Sequence, residues 1–231
     1  MLERLKLSKP WENQTPLTDT VALMIALATR LSGYRITASG EDDIPLRGRI
    51  DAITHHDHFD VPAHGTREIW KRNQQVYYLT KQELISNRLY GRVLKRIGGL
   101  ALNRESPTKE QLEAAISTAS SGHPVGIFAE GKLIPQGYRV RELKGGVALL
   151  ARRAEVPVQA VGIAGDQNAH WSKPRPVHIH YGKIFEPPAR HQTERFNYEL
   201  RDEMQKALNI AQLQRYGTLA LSDPEEDTKL R

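Results

Sequence analysis

Hydrophobic and polar positions along this chain repeat with two different periods, and the changes from one to the other predict the order of its elements. Residues 18–31 carry apolar positions at helical spacing, with Thr18 or Asp19 placed to cap the start and Gly33 to stop it. "YRITASG" (34–40) alternates as a strand does, "EDDIPLRG" (41–48) reads as a turn, and "RIDAIT" (49–54) reads as a second strand. Residues 62–73 look helical, with Pro62 tolerated in the first turn. "QVYYLT" (75–80) is strand-like in its aromatic and β-branched content, and residues 81–97 read as helix broken near Gly91. "GGLALN" (98–103) predicts a short strand, and residues 108–121 an amphipathic helix that Gly122 ends. "PVGIFAEG" (124–131) predicts a buried strand and a tight loop. Residues 144–155 then predict a helix, 156–165 and 177–185 two strands, and 197–216 a closing helix.

Strands that alternate with helices of roughly 10–15 residues predict an α/β layered fold with a central, largely parallel or mixed sheet flanked by helices. Chemistry in such sheets sits on loops at the strand ends. Three regions are expected: an N-terminal helical appendage (1–33), a main domain (34–216) and a polar C-terminal tail (217–231).

Composition narrows the classes of function. The 231 residues suffice for one large domain or two small ones, and 39% apolar with 26% charged residues is ordinary for a folded soluble chain. The absence of cysteine excludes disulfides, cysteine-bound zinc and thiol nucleophiles. Formal charge is 33 − 27 = +6, which favours anionic partners such as phospholipid headgroups, phosphorylated substrates or an acidic carrier protein. No stretch interleaves aromatic residues with Arg and Lys as a strand-binding surface does, so nucleic acid is not expected as a partner. The start "MLERLKLSKPWENQ" has no apolar core of a signal peptide, and a cytoplasmic location is expected. The longest apolar run, "VALMIALA" (21–28), is shorter than the roughly 20 residues that span a bilayer. It is either a core helix or an interfacial one, and in the second case it would hold the protein peripherally on the inner face of the cell membrane.

The densest candidate chemistry is "ITHHDHFDVPA" (53–63), in which His55, His56, His58, Asp57 and Asp60 fall within six positions. Two chemistries want such a cluster. His56, His58 and Asp60 form H-x-H-x-D, part of a metallo-hydrolase pattern, but Val61 stands where that pattern has another histidine and no Asp follows His123 before Asp166. His55 and Asp60 form H-x4-D, a base and its orienting carboxylate.

Three later blocks, in a fixed order, make the His55–Asp60 spacing specific. "YYLTKQELISNRLYGRVLKRIGGLALNR" supplies Lys81, Glu83, Gly91, Gly98 and Arg104; "PVGIFAEGKL" supplies Phe128, Glu130 and Gly131; "ELKGGVALLARRAEVPVQAV" supplies Lys144, Gly145 and Pro157. With the H-x4-D block they make four, over residues 50–185, and together they resemble the glycerolipid acyltransferase family of 1-acyl-glycerol-3-phosphate acyltransferases and their relatives. The chain departs from that pattern at Thr54 (usually Asn), Ala129 (usually Pro), Lys132-Leu133 (usually Thr or Ser, then Arg) and Ala160 (often Pro).

The resemblance implies an acyltransferase. It would move a fatty acyl group from acyl-CoA or acyl-carrier protein to a hydroxyl of a lysophospholipid-like acceptor, with no cofactor and no metal. His55 would be the base and Asp60 its partner, which works if His55 lies on a loop and Asp60 in the first turn of the next helix. Arg104, Glu130, Gly131, Lys132 and Lys81 would bind substrate. Glu130 would accept from a substrate hydroxyl or fix Arg104, and Lys132 would act as a point charge without arginine's two-pronged contact. A non-phospholipid alcohol or amine remains the alternative acceptor. His56, His58 and Asp57 are expected to be solvated or to stand behind the site, and His64 and His123 to be loop residues.

Overall fold

The computed structural model describes residues 24, 27–29, 31–42, 44–56, 59–89, 91–131, 139–165 and 175–217. Most of the 18–31 helix, Asp57, His58, Lys132 and the tail beyond Gly217 therefore lie outside the described residues.

Seven strands form one mixed sheet: β1 (Tyr34–Ser39), β2 (Arg49–Ile53), β3 (Tyr77–Lys81), β4 (Gly99–Leu102), β5 (Pro124–Phe128), β6 (Val158–Ala164) and β7 (Arg175–Phe185). Their spatial order is β1-β7-β6-β2-β5-β3-β4. The five strands from β6 to β4 run parallel to one another, whereas β7 is antiparallel to β6 and carries β1 parallel to itself. The expected α/β layered fold with a largely parallel sheet is thus the observed one. β2, β5 and β6 are buried on both faces, as central parallel strands are.

The helices are α1 (Asp60–Arg72), α2 (Gln82–Ser86), α3 (Gly91–Arg96), α4 (Lys109–Ser120), α5 (Gly146–Ala154) and α6 (Thr193–Tyr216). Side chains of β2 alternate between two cores. Ile50 and Ala52 join the cluster of α4, α5 and α6, which contains Ala115, Val147, Leu150, Leu200 and Met204. Ile53 joins the other cluster, with Ala63 of α1, Tyr78, Phe128 and Val161. β2 and β5 are neighbours in the sheet, yet the chain leaving β2 enters α1 on one face and the chain leaving β5 leads to α5 on the other. Their exit loops diverge and open a crevice at the carboxyl ends of the strands, the usual place for a site in an open α/β sheet.

Local signals set the boundaries. α1 begins at Asp60, two residues before the predicted start, and Asn73 closes it in a left-handed conformation. The predicted break at Gly91 separates α2 from α3. Thr108 and Gln111 form a capping box at the start of α4, and the Gln111 side-chain oxygen also accepts the Asn103 N–H at 3.0 Å. The helix start thereby holds the loop that carries Arg104. Gly131 turns the chain after β5 with φ +74°, in the left-handed region that a residue without Cβ adopts most easily.

Candidate active site

Thr54, the first residue past β2, is tied to β6: its N–H donates to the Val161 carbonyl at 3.1 Å and its hydroxyl accepts the Ile163 N–H at 3.0 Å. A short hydroxyl side chain thus anchors the strand end at the position where the family resemblance implies Asn. His55 comes next on the loop and Asp60 is the first helical residue of α1, the placement that a five-residue separation requires. The His55 Nδ1 lies 3.1 Å from Asp60 Oδ2, and the same oxygen accepts the His56 N–H at 2.7 Å. One carboxylate oxygen thus holds both the ring and the loop that carries it. Asp60 is buried, and an acidic residue in a helix's first turn is favoured by the helix dipole. The His55 ring stacks on Phe128, with centroids 3.9 Å apart and planes 26° apart. Its Nε2 has no partner among the described residues.

Glu130 stands on the turn after β5 and is buried. Its Oε2 accepts the Arg141 N–H at 3.1 Å, whereas Oε1 has no partner among the described residues. Burial raises this carboxyl above the usual carboxylate range, against the opposing pull of the Arg141 N–H and the charge of His56. Glu130 does not fix Arg104, contrary to one expected role. Arg104 donates instead to the Gly131 carbonyl at 2.6 Å, and burial lowers its pKa against the attraction of Glu83.

Beside these residues lies a cavity of about 320 Å³ between the ends of β3, β4 and β5 and helices α4 and α5. Its walls are mostly apolar (Leu79, Leu102, Leu112, Ile127, Phe128, Val147, Leu149 and Leu150), and Arg104 and Lys144 supply its cations. That volume is within the range of small-molecule sites, which are typically about 300–1,000 Å³. Phe128 joins the two features, since one residue lines the cavity and stacks on His55.

The fold therefore gathers His55, Asp60, Glu130, Gly131 and Arg104 at one end of the sheet. Lys81 ends β3 at the same end but is exposed and does not line the cavity. Lys132 and His58 lie outside the described residues, so the H-x-H-x-D set is incomplete there. Of the two placements expected for His56, solvated or behind the site, the structure has the second: it is buried, with its N–H on Asp60. One expectation is corrected: His64 is not a loop residue but is fully buried on α1, with Nδ1 2.8 Å from the Tyr78 hydroxyl. His123 does lie on the loop between α4 and β5, half-buried against Tyr77. Phe128 and Lys144 belong to the sequence blocks, yet the sequence assigned neither a role in the site. The stacking partner of an imidazole depends on strand order, and no local pattern announces it.

Residues 35–164 match the Acyltransferase family. The chain is 30% identical over 148 residues to a 1-acyl-sn-glycerol-3-phosphate acyltransferase of Bacillus subtilis (strain 168), a match that covers 62% of this chain and 68% of that protein. It is 28% identical over 93 residues to a protein of the same description from Streptococcus pneumoniae (strain ATCC BAA-255 / R6), covering 40% of this chain and 33% of that one. In fold it is similar to the crystal structure of the 1-acyl-sn-glycerophosphate (LPA) acyltransferase PlsC from Thermotoga maritima, with a TM-score of 0.62 at 19% identity over 83% of this chain and 79% of that one. The chain belongs to the Acyltransferase family and is an enzyme that transfers acyl groups. Family membership selects acyl transfer over metallo-hydrolysis as the activity of the chain.

Proposed function

We propose that this enzyme esterifies the free hydroxyl of a 1-acyl-glycerol-3-phosphate-type lysophospholipid with a fatty acyl group carried as a thioester on CoA or acyl-carrier protein. The observation that carries this reading is the His55 imidazole, held at Nδ1 by Asp60 and on its face by Phe128, with Nε2 left without a partner among the described residues. An alcohol is a weak nucleophile at neutral pH and needs a positioned base. As the acceptor oxygen attacks the thioester carbonyl, its proton passes to His55 Nε2 and the Asp60 carboxylate steadies the imidazolium. The tetrahedral intermediate then collapses, the C–S bond breaks, and the departing sulfur takes the proton from His55. No acyl-enzyme is needed.

The apolar cavity suits a fatty chain, and Arg104 and Lys144 suit a phosphate, arginine through paired donors and lysine as a point charge. Glu130 Oε1, buried and without a partner among the described residues, is placed to accept a hydrogen bond from a substrate hydroxyl. Mass spectrometry of products is the test, with acyl-CoA and acyl-carrier protein offered against lysophosphatidate, its dephosphorylated monoacylglycerol and amine acceptors. Diacyl product from lysophosphatidate alone supports the reading, and product from the uncharged or amine acceptors with none from lysophosphatidate overturns the phosphate assignment.

We also propose peripheral binding to anionic membranes. No helix among the described residues is long and apolar enough to cross a bilayer. Leu84, Leu89 and Val93 are exposed on and between α2 and α3, interleaved with exposed Arg92, Lys95 and Arg96. In the N-terminal helix the described Met24, Leu27 and Leu31 are exposed as well, which favours an interfacial role for that helix over a core one. Each cation near an anionic surface contributes on the order of 1 kcal/mol. Co-sedimentation with anionic liposomes that weakens as salt rises supports this, and no binding at low salt refutes it.

A further inference from the structure

β2 and α1 are joined by more than the His55–Asp60 pair. Arg49, Asp51 and, beyond the strand end, His55 lie at alternate positions of the chain through β2, and Asp60, His64 and Glu68 succeed one another at four-residue steps along α1. The two rows meet in nested order. Arg49 donates to Glu68 Oε2 at 2.7 Å, His64 Nε2 faces Asp51 Oδ2 at 3.8 Å, and His55 Nδ1 meets Asp60 Oδ2 at 3.1 Å. The spacing matches the two inner rungs, since two strand residues rise about 6.6 Å and four helical residues about 6 Å; the step from Asp51 to His55 is four residues and reaches Asp60 because the chain leaves the strand after Ile53.

Arg49, Asp51, His64 and Glu68 are fully buried. Arg49 is held further by Asp51 at 2.7 Å and Gln74 at 2.9 Å, and Glu68 by the Tyr181 hydroxyl at 2.6 Å and by Arg72. With Arg67 and Glu41, which pair with each other at the edge of the cluster, three arginines (Arg49, Arg67, Arg72) balance three carboxylates (Glu41, Asp51, Glu68). His64 is thus not required as a cation, and burial lowers its pKa. Burial also keeps the Tyr78 phenol protonated, and its hydroxyl shares a hydrogen bond with His64 Nδ1 while Nε2 faces Asp51.

We propose that the Arg49–Glu68 and Asp51–His64 rungs are positioning pairs: they set the rotation and axial register of α1 against β2, and so the geometry in which Asp60 meets His55. This rests on the reading of His55 and Asp60 as the catalytic pair. An apolar interface fixes a helix by packing alone, whereas the buried charges of Arg49, Asp51 and Glu68 are satisfied in one register, in which His64 Nε2 comes to face Asp51. A misplacement of about 1 Å at a reacting group can cost on the order of a hundredfold in rate.

The test is a double-mutant cycle on the full chain, read as kcat and KM of acyl transfer. Glu68→Gln keeps the shape and removes one charge of the Arg49–Glu68 rung. Where it does not accumulate folded, His64→Asn carries the same cycle: it retains an acceptor for Tyr78 but withdraws the group that faces Asp51. Either should lower kcat roughly ten- to a hundredfold and leave KM within about threefold. His64→Gln, whose amide nitrogen reaches as far as Nε2, should recover part of the loss. In an Asp60→Asn background the same substitutions should lower kcat less than about twofold further, because the geometry they protect is already unused. Equal losses with and without Asp60 would overturn the ladder and leave it a purely structural cluster, as would a change in KM alone. A fully active Asp60→Asn enzyme would instead defeat the catalytic reading on which the ladder rests.

Discussion

The imidazole of His55 and the ring of Phe128 lie face to face, centroids 3.9 Å apart, because β2 and β5 are neighbours in a register that pairs Ile53 with Phe128. The ring of His55 is therefore held in the plane by the Asp60 carboxylate and across its face by an aromatic wall. Phe128→Leu keeps an apolar side chain but removes the flat surface. It should lower kcat about tenfold while the KM for the acceptor stays within about threefold, since it loosens the base rather than the phosphate site. Steady-state kinetics decide it, and an unchanged kcat would show that Asp60 alone orients the ring.

Arg104 reaches the cavity from the loop after β4 and spends one guanidinium nitrogen on the Gly131 carbonyl. The remaining donors are available to an acceptor phosphate. Arg104→Lys retains the charge and loses the planar fork, so the acceptor KM should rise about tenfold with kcat little altered. A fall in kcat at constant KM would mean that Arg104 acts on the reacting centre and not on the phosphate.

Four histidines make this fold sensitive to mild acid. Burial lowers the pKa of His64, His123, His178 and His180 from their ordinary 6.5, with His180 and Arg67 adding to the effect at His178. The folded state therefore binds fewer protons than the unfolded state just below pH 6.5, and stability falls as pH drops through that value. Each proton taken up on unfolding contributes about 1.4 kcal/mol per pH unit. Glu41 and Glu68 add a second loss at lower pH: Arg67 holds Glu41 below the usual carboxylate range, and at Glu68 burial, which raises the pKa, is outweighed by Arg49, His64, Arg72 and the Tyr181 hydroxyl together. Thermal unfolding across about pH 5–8 should show a falling midpoint from about pH 6.5 downward. The slope should be shallower in His64→Asn. A midpoint constant down to about pH 5 would contradict these burials.

The layered fold is readable in the sequence because its periodic segments are short and sharply punctuated: Gly91 separates two helices, Gly122 comes just after α4, and Thr108 with Gln111 caps it. The His55–Asp60 pair is legible for a similar reason, since a strand end, a loop and a helix start lie within a few residues. Arg49 and Asp51 are not. Charged residues at alternate strand positions normally read as a solvated face, and only the covering of that face by α1 turns them into a buried network. The four-residue spacing of Asp60, His64 and Glu68 is present in the chain and the predicted helix over 62–73 contains His64, but which face of that helix covers β2 depends on tertiary packing that the spacing does not specify. The cavity, likewise, is made by residues of β3, β4, β5, α4 and α5, and no single stretch contains it.

Removal of the base tests the account most directly. His55→Ala should keep a cooperative thermal unfolding transition, because it removes one loop ring stacked at the edge of Phe128's cluster and leaves the Asp60 contact to the His56 N–H in place. Acyl transfer to lysophosphatidate, measured as diacyl product per unit time at saturating thioester, should fall by roughly 10²–10⁴-fold. Activity within about threefold of the unsubstituted enzyme, from protein with the same unfolding midpoint, would contradict the assignment of His55 as the base.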